Sequence, residues 1–130
     1  MVPLPKPLEL HVCELVIEDA HTHNLTLVSM FADRICERFP SDPVSFSVFC
    51  PLTDGNGRGT MTVEIARWGA REIPFRRDYP IEFHNRGQVV NVHVRLNGLR
   101  FPRPDDYTVT IFVDRELVAM RTFRVRTRET

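Results

Sequence analysis

The sequence lacks two features that draw proteins to polyanions, a net charge and a supply of lysine. Its 17 basic residues balance 17 acidic ones, and Lys6 is the single lysine, so 16 of the basic residues are arginine. A neutral chain has no global attraction to nucleic acid, an acidic membrane or another polyanion. Codon usage in a GC-rich genome explains the arginine bias; the alternative is selection for the planar guanidinium, which pairs with carboxylates and phosphates. Composition therefore disfavours nucleic acid as a partner.

Paired cysteines and long apolar runs are also missing. Cys13, Cys36 and Cys50 form no C-x-x-C motif and leave one cysteine over, which argues against a disulfide framework and a zinc knuckle. Each lies in an apolar run, where a free cysteine packs as a small hydrophobe. The Pro-rich residues 1–7 lack the apolar core of a signal peptide, and no stretch approaches the ~18–20 apolar residues of a membrane span. We expect a cytoplasmic protein without membrane contact.

No long stretch of the chain has a helical period. Apolar residues instead alternate with polar ones in short runs separated by turn residues. The pattern predicts about eight strands in an all-β, two-sheet antiparallel sandwich. A chain of 130 residues fits one domain, which we predict over residues 8–126. An extended Pro-rich lead-in at 1–7 precedes it, and a frayed tail at 127–130 follows.

The end of the chain is predicted to form a closing β-hairpin. Residues 107–113 alternate as a strand, 114–116 form a tight turn, and a returning strand runs to Val125. An isolated hairpin is marginal in water, so this one needs a second layer over its apolar face. Tyr107 follows a Pro and Asp corner at the start of the penultimate strand, where immunoglobulin-like sandwiches place a corner tyrosine. The fold is therefore expected to be immunoglobulin-like or C2-like.

The earlier strands are predicted from the same pattern. The continuous apolar run at 15–17 indicates a strand end that is buried on both faces. Residues 25–36 read as one strand with a bulge, and the Gly-rich segment 54–59 as the turn of a long hairpin. Two prolines place segment 71–84 at a sheet edge. The predicted core comprises Leu15, Ile17, Leu27, Phe46, Val48, Val63, Val92, Tyr107, Ile111 and Val113.

Two segments contain partial metal motifs. Asp54, Asn56 and Gly59 resemble the start of a calcium loop, but Arg58 stands where a ligand oxygen is needed and Ile65 where the loop needs glutamate. The alternative, a plain hairpin turn, fits better. His21 and His23 share one side of an extended connector and could offer two nitrogens to zinc. A solvated polar turn explains them better, so we expect neither a metal nor a cofactor.

Catalytic constellations are sparse. The three cysteines lie in predicted strands, no serine stands in a nucleophile-elbow context, and no glycine loop cradles phosphate. The acidic pairs 18–19 and 105–106 lie in turns, where adjacent carboxylates usually serve as turn formers. The sequence therefore predicts no catalytic residue and no enzyme activity.

Arginines near the end of the chain form a candidate polyanion-binding strip. Arg124 and Arg126 share one side of the last strand, and Arg76 and Arg77 belong to a neighbouring segment. The alternative is that these arginines pair with carboxylates across strands, as arginines on the wet face of a sheet commonly do.

The opening strand is a candidate for edge contact. Leu8, Leu10 and Val12 alternate with only Glu9 and His11, so few charges protect this strand against pairing. Prolines and arginines blunt the other candidate edge, at 71–84. We expect self-association or partner pairing at the opening strand.

Several segments together resemble a family of uncharacterised small bacterial β-sandwich proteins, a domain of unknown function. They are the strand with an acidic end at 14–19, the strand at 24–31 with Arg34-Ile35 after it, the Pro-x-x-Tyr corner at 104–107 and the turn at 114–116. The resemblance covers most of the chain. It implies a bacterial source and a β-sandwich, and it carries over no catalytic residue.

These observations favour a non-enzymatic protein-binding or scaffold module, because a small sandwich without a catalytic constellation offers edges and loops. One alternative is weak binding of nucleic acid or another polyanion through the arginines. A second is an enzyme of unrecognised type.

Overall fold

The protein is an all-β sandwich of two sheets, as the alternation predicts. The computed structural model describes residues 4–67, 69 and 74–128, and these contain no helix, hence none that could cross a membrane. Ten strands are present where about eight were expected. They are β1 (Lys6–Pro7), β2 (His11–Glu18), β3 (Leu25–Met30), β4 (Asp33–Ile35), β5 (Val44–Thr53), β6 (Gly57–Arg67), β7 (Phe75–Phe83), β8 (Val90–Leu99), β9 (Asp105–Val113) and β10 (Glu116–Arg126).

The strands divide between the sheets in a pattern that alternation alone does not reveal. The first sheet has the order β3-β2-β5-β8, with β1 also paired to β5; the second has the order β4-β10-β9-β6-β7. Since β5 and β6 belong to different sheets, residues 54–56 connect the sheets, and the hairpin predicted at 54–59 is wrong. The turn residues are needed all the same: Asp54 and Gly57 both have positive φ, and a Cβ on Gly55 would meet the Phe83 ring at 2.5 Å.

The core lies between the inner faces of the two sheets. Most predicted core residues are fully buried, among them Phe46, Val63, Tyr107 and Ile111. An aromatic cluster fills one end, where Phe101 meets Tyr107 edge-to-face at a centroid distance of 4.8 Å. The cluster comprises Phe31, Phe46, Phe101, Tyr107 and Phe123.

Tyr107 forms the predicted corner. Its hydroxyl donates a 2.7 Å hydrogen bond to the carbonyl of Arg103, four residues upstream. This bond ties the connection before β9 to the strand itself, which is the arrangement of a tyrosine corner. The corner favours the immunoglobulin-like alternative over the C2-like one.

The closing hairpin is confirmed. β9 and β10 pair antiparallel across a two-residue turn, and both turn residues, Asp114 and Arg115, have positive φ (48° and 71°). Two left-handed residues are typical of a type I′ turn, whose twist matches that of the flanking strands. The turn is also bonded to β6, because the Asp114 carboxylate accepts a hydrogen bond from the Thr60 amide at 2.9 Å.

Three predicted core residues are not buried. Leu15 and Ile17 are exposed and Leu27 is half-buried, so the prediction of a strand end buried on both faces is wrong. The reason is register: β2 pairs with β5 only from His11 to Cys13, whereas its pairing with β3 continues to Glu18. Beyond Cys13 the two strands run on without β5 beside them.

Residues 25–36 form two strands in different sheets instead of one. β3 ends at Met30 after Ser29, which has a φ of 53°, and β4 then pairs parallel to β10 in the second sheet. The sandwich is therefore antiparallel except at β4. A left-handed residue stops the ladder, and the alternation on either side of it does not reveal the change of sheet.

Segment 71–84 lies at a sheet edge in its described part. β7 begins at Phe75 and pairs only with β6 among the described strands, at the end of the second sheet. Residues 71–73 lie outside the described residues. The Pro-rich lead-in, in contrast, joins the first sheet, because Lys6 and Pro7 pair with Thr53 and Leu52.

Candidate protein-binding surface

Each of the candidate edge residues Leu8, Leu10 and Val12 has a partner within the chain, and an edge contact at them stays a prediction. Leu8 donates a backbone hydrogen bond to Pro51, and the Leu10 carbonyl accepts one from Arg121 at 3.0 Å. Val12 is buried and pairs with Val48 of β5. Among the described strands of the first sheet, β3 and β8 each pair with a single neighbour, as does the two-residue β1.

The hairpin of β2 and β3 beyond Cys13, residues 14–30, is the most exposed apolar element of the described chain, and we call it the arm. On its outer face Leu15 is 44% exposed, Ile17 48% and Met30 59%. Leu15 is paired with Val28 across the two strands, and Met30 with Cys13. Cross-strand partners share a face, so these side chains form one patch. The arm's outer face comprises Leu15, Ile17, Val28 and Met30.

The other face of the arm is also apolar, and it is attached to the body at its base. Val16 pairs with Leu27, and both are half-buried. At the base, Glu14 accepts a hydrogen bond from Arg34, whose guanidinium lies 5.4 Å from the centre of the Phe31 ring. The ion pair and the ring contact fix the base of the arm, while little of the rest of the chain covers its far half.

The tip of the arm is a hydrogen-bonded polar turn. The Asp19 carboxylate accepts bonds from the amides of His21 and Thr22, at 2.8 and 2.9 Å. The backbone bonds from Thr22 and His21 hold the pKa of Asp19 below its ordinary value. His21 and His23 are exposed, and across residues 4–67, 69 and 74–128 no group of three or more His, Cys, Asp or Glu side chains is placed to hold a metal ion.

The β3 edge differs from the other sheet edges in its side chains. β3 has the sequence LTLVSM, with neither a charge nor a proline. β7, at an edge of the second sheet, carries Arg76, Arg77, Asp78, Pro80 and Glu82. β4 carries Asp33 and Arg34, and β8 carries His93 and Arg95. Charges and prolines protect edges against pairing with another chain, and β3 has none of them.

The candidate polyanion residues do not form one strip. Arg76 and Arg77 are neighbours on a strand, so they point to opposite faces. Arg76 lies 3.9 Å from Glu64, and Arg77 lies over the Phe75 ring at 5.7 Å. Arg124 lies 3.3 Å from Asp106, and Arg126 lies 3.7 Å from Asp33. Three of the four therefore face carboxylates.

A serine and a histidine meet on the outer side of the first sheet. The Ser47 hydroxyl lies 3.0 Å from Nε2 of His93 and accepts a 3.2 Å bond from Arg95. Burial and the Arg95 charge lower the pKa of His93. Ser47 is fully buried in the middle of β5, so no substrate reaches its oxygen. The contact ties β5 to β8.

An open polar groove of about 460 Å³ lies on the second sheet beside the closing turn. Each wall carries one arginine and one aspartate, and two threonines form the floor. Asp78 already accepts a 2.6 Å bond from Thr62, and Asp114 accepts one from Thr60. Small-molecule sites are mostly apolar with a few polar groups, unlike this groove. Its lining comprises Thr60, Thr62, Arg76, Asp78, Asp114 and Arg115.

The three cysteines are free and buried. Burial raises the pKa of each thiol, and for Cys50 it raises the pKa to about 12. A reactive cysteine needs a lowered pKa and access to solvent, so all three have the properties of structural thiols.

The sequence of residues 10–126 matches the model of a family of unknown function, DUF6941. The chain belongs to this family. No curated protein matches the sequence.

Solved structures that resemble the fold at low identity include two β-glucosidases. One is a β-glucosidase from Kluyveromyces marxianus, with 10% identity and a TM-score of 0.44; the match covers 67% of this chain and 14% of that one. The other is a β-glucosidase from Listeria innocua, with 12% identity and a TM-score of 0.48, covering 94% of this chain and 16% of that one. The chain thus spans a small fraction of the length of either protein. At these TM-scores the similarity carries no argument.

Proposed function

We propose that this protein is a non-enzymatic protein-binding module and that the outer face of the arm is its contact surface. The observation that carries the proposal is the patch of exposed Leu15, Ile17 and Met30 with half-buried Val28, on a two-stranded hairpin that β5 does not support. Monomeric soluble proteins rarely expose a contiguous apolar patch, and such a patch marks an interaction site. A partner that covers the arm would also stabilise a hairpin that is marginal alone.

The other two functions have weaker support. Polyanion binding needs unpaired cations on one surface, whereas Arg76, Arg124 and Arg126 lie beside carboxylates. An enzyme needs an accessible reacting group, whereas the Ser47 hydroxyl beside His93 is buried. We also propose a cytoplasmic location, since buried free thiols suit a reducing compartment. The resemblance to small bacterial proteins is the reason for proposing a bacterial source.

The experiment compares two variants that each place a charge at an equally exposed apolar position. Ile17 in the arm is 48% exposed and Met120 on β10 is 50% exposed. Wild type, Ile17→Arg and Met120→Arg are immobilised and exposed to an extract of the cells that produce the protein. We expect wild type and Met120→Arg to retain the same stoichiometric partner and Ile17→Arg to lose it.

Retention of the same partner by Ile17→Arg would contradict the proposal. So would the absence of a stoichiometric partner for wild type, if wild type also shows no self-association. Circular dichroism of each variant checks that its fold is intact.

A further inference from the structure

The uncharged edge of β3 is open to a strand of matching character. The regular part of β3 runs from Leu25 to Val28, because the positive φ of Ser29 interrupts it. On this part Leu25 and Leu27 point to one face, and Thr26 and Val28 to the other. A strand added here is met by apolar or hydroxyl side chains on both faces and by no charge.

We propose that the added strand is β3 of a second copy of this chain, antiparallel about a two-fold axis perpendicular to the sheet. This inference rests on the proposed function, since it names a partner for the same arm. Antiparallel pairing of identical edges is isologous and closes at two copies. It joins the first sheets of the two copies into one continuous sheet.

The pleat restricts the register to two choices. Residues directly opposite each other must point to the same face. One residue of the regular part therefore faces its own duplicate across the axis and is called the residue on the axis below. With Thr26 on the axis, Leu25 is opposite the second copy's Leu27. With Leu27 on the axis, Thr26 is opposite the second copy's Val28. Both registers pair apolar or threonine side chains, which are favourable cross-strand neighbours.

Self-complementarity is the argument for a second copy: in either register the side chains that face each other are apolar or threonine. Near a two-fold axis a charged side chain lies close to its own duplicate, and like charges that face each other destabilise a pair. β3 has no charge, so self-pairing brings no such repulsion. The arm's carboxylates, Glu14 and Glu18, lie on β2, one strand away from the axis. The edges β7, β4 and β8 all carry charges, so self-pairing there depends on a register that keeps like charges apart.

Self-pairing also enlarges the patch that the proposed function uses. Thr26 and Val28 lie on the outer face of β3, next to the axis, so the outer faces of the two arms become contiguous. The dimer therefore presents a doubled apolar surface to any further partner.

The test uses charge reversal at Thr26, which is exposed and free to change without disturbing the core. Sedimentation velocity of the full chain is measured over a wide concentration range for wild type, Thr26→Lys, Thr26→Glu and an equal mixture of the two variants. We expect a reversible wild-type dimer. Each variant alone should raise the dissociation constant about tenfold, because like charges meet near the axis, and the mixture should restore association.

Thr122→Lys, at an exposed threonine on β10, is the matched control and should leave the dimer unchanged. A wild-type chain that stays monomeric at every concentration overturns the inference, as does a dimer that Thr26→Lys does not weaken or that mixing does not restore. If wild type is monomeric but Ile17→Arg alone loses a partner from the extract, the proposed function stands and the self-pairing falls. If neither association is found, both fall.

Discussion

The opening hairpin of β2 and β3 and the closing hairpin of β9 and β10 are both antiparallel pairs of strands with opposite surroundings. Both carry apolar residues on their two strands. Ile111 of the closing hairpin is fully buried against the first sheet, whereas Ile17 of the opening one is 48% exposed. The difference lies in what stands opposite each hairpin. Alternation indicates that a strand has a face to bury, and it does not identify the element that buries it.

The largest expected effect compares these two isoleucines directly. Ile111→Ala should lower the free energy of unfolding by about 2–5 kcal/mol, because it leaves a cavity in a close-packed core. Ile17→Ala should change it by less than about 1 kcal/mol in dilute solution, since its side chain is largely in water already. Denaturant unfolding at low protein concentration measures both. Equal losses would mean that the arm is covered in the isolated chain.

The next effect tests how the closing hairpin is anchored. Tyr107→Phe removes the hydroxyl that donates to the Arg103 carbonyl, and the loss of a hydrogen bond of this kind costs about 0.5–1.5 kcal/mol. Tyr79→Phe, at the half-exposed edge strand β7, should change the unfolding free energy by less than about 0.5 kcal/mol. Thermal and denaturant unfolding of the two variants give the comparison. An unchanged free energy of unfolding in Tyr107→Phe would show that the corner hydrogen bond does not stabilise the fold.

These predictions separate what the sequence reveals from what it does not. The strands, the closing hairpin and the corner at Tyr107 are local patterns, and each was predictable. The sheet to which a strand belongs depends on the connections, so the crossing at 54–56 and the switch after Ser29 were not. The signal for the arm was present in the run at 15–17, where both faces are apolar. Such a run predicts burial within the chain, although it is equally consistent with burial by a partner.

A substitution in the turn of the closing hairpin should raise the free energy of unfolding. Arg115 has a φ of 71°, a conformation that costs a residue with a Cβ about 1 kcal/mol and glycine far less. Arg115→Gly should therefore raise the unfolding free energy by about 0.5–1 kcal/mol. Gly98→Ala is the reverse case: φ is +71° with nothing within 4 Å of an added Cβ, so backbone strain alone should destabilise it. A loss of stability in Arg115→Gly would contradict the turn assignment.

The smallest effect concerns pH at the contact between β5 and β8. The pKa of His93 lies below its ordinary value of 6.5, chiefly because of burial, so the unfolded chain takes up a proton more readily. Its contribution to stability is full above pH 6.5 and declines as the pH falls toward the lowered pKa. His93→Gln should therefore flatten the loss of stability below pH 6.5 relative to wild type. Identical pH profiles for the two proteins would refute this.

Concentration-dependent hydrogen exchange tests the central claim most directly, because it reports on the two hairpins in one sample. The amides of residues 25–28 and of β9 are followed in dilute and in concentrated protein. We predict that β9 is strongly protected at both concentrations, while residues 25–28 exchange quickly when dilute and become protected when concentrated. Protection of residues 25–28 that equals that of β9 in dilute protein, or that does not change with concentration, would contradict the account.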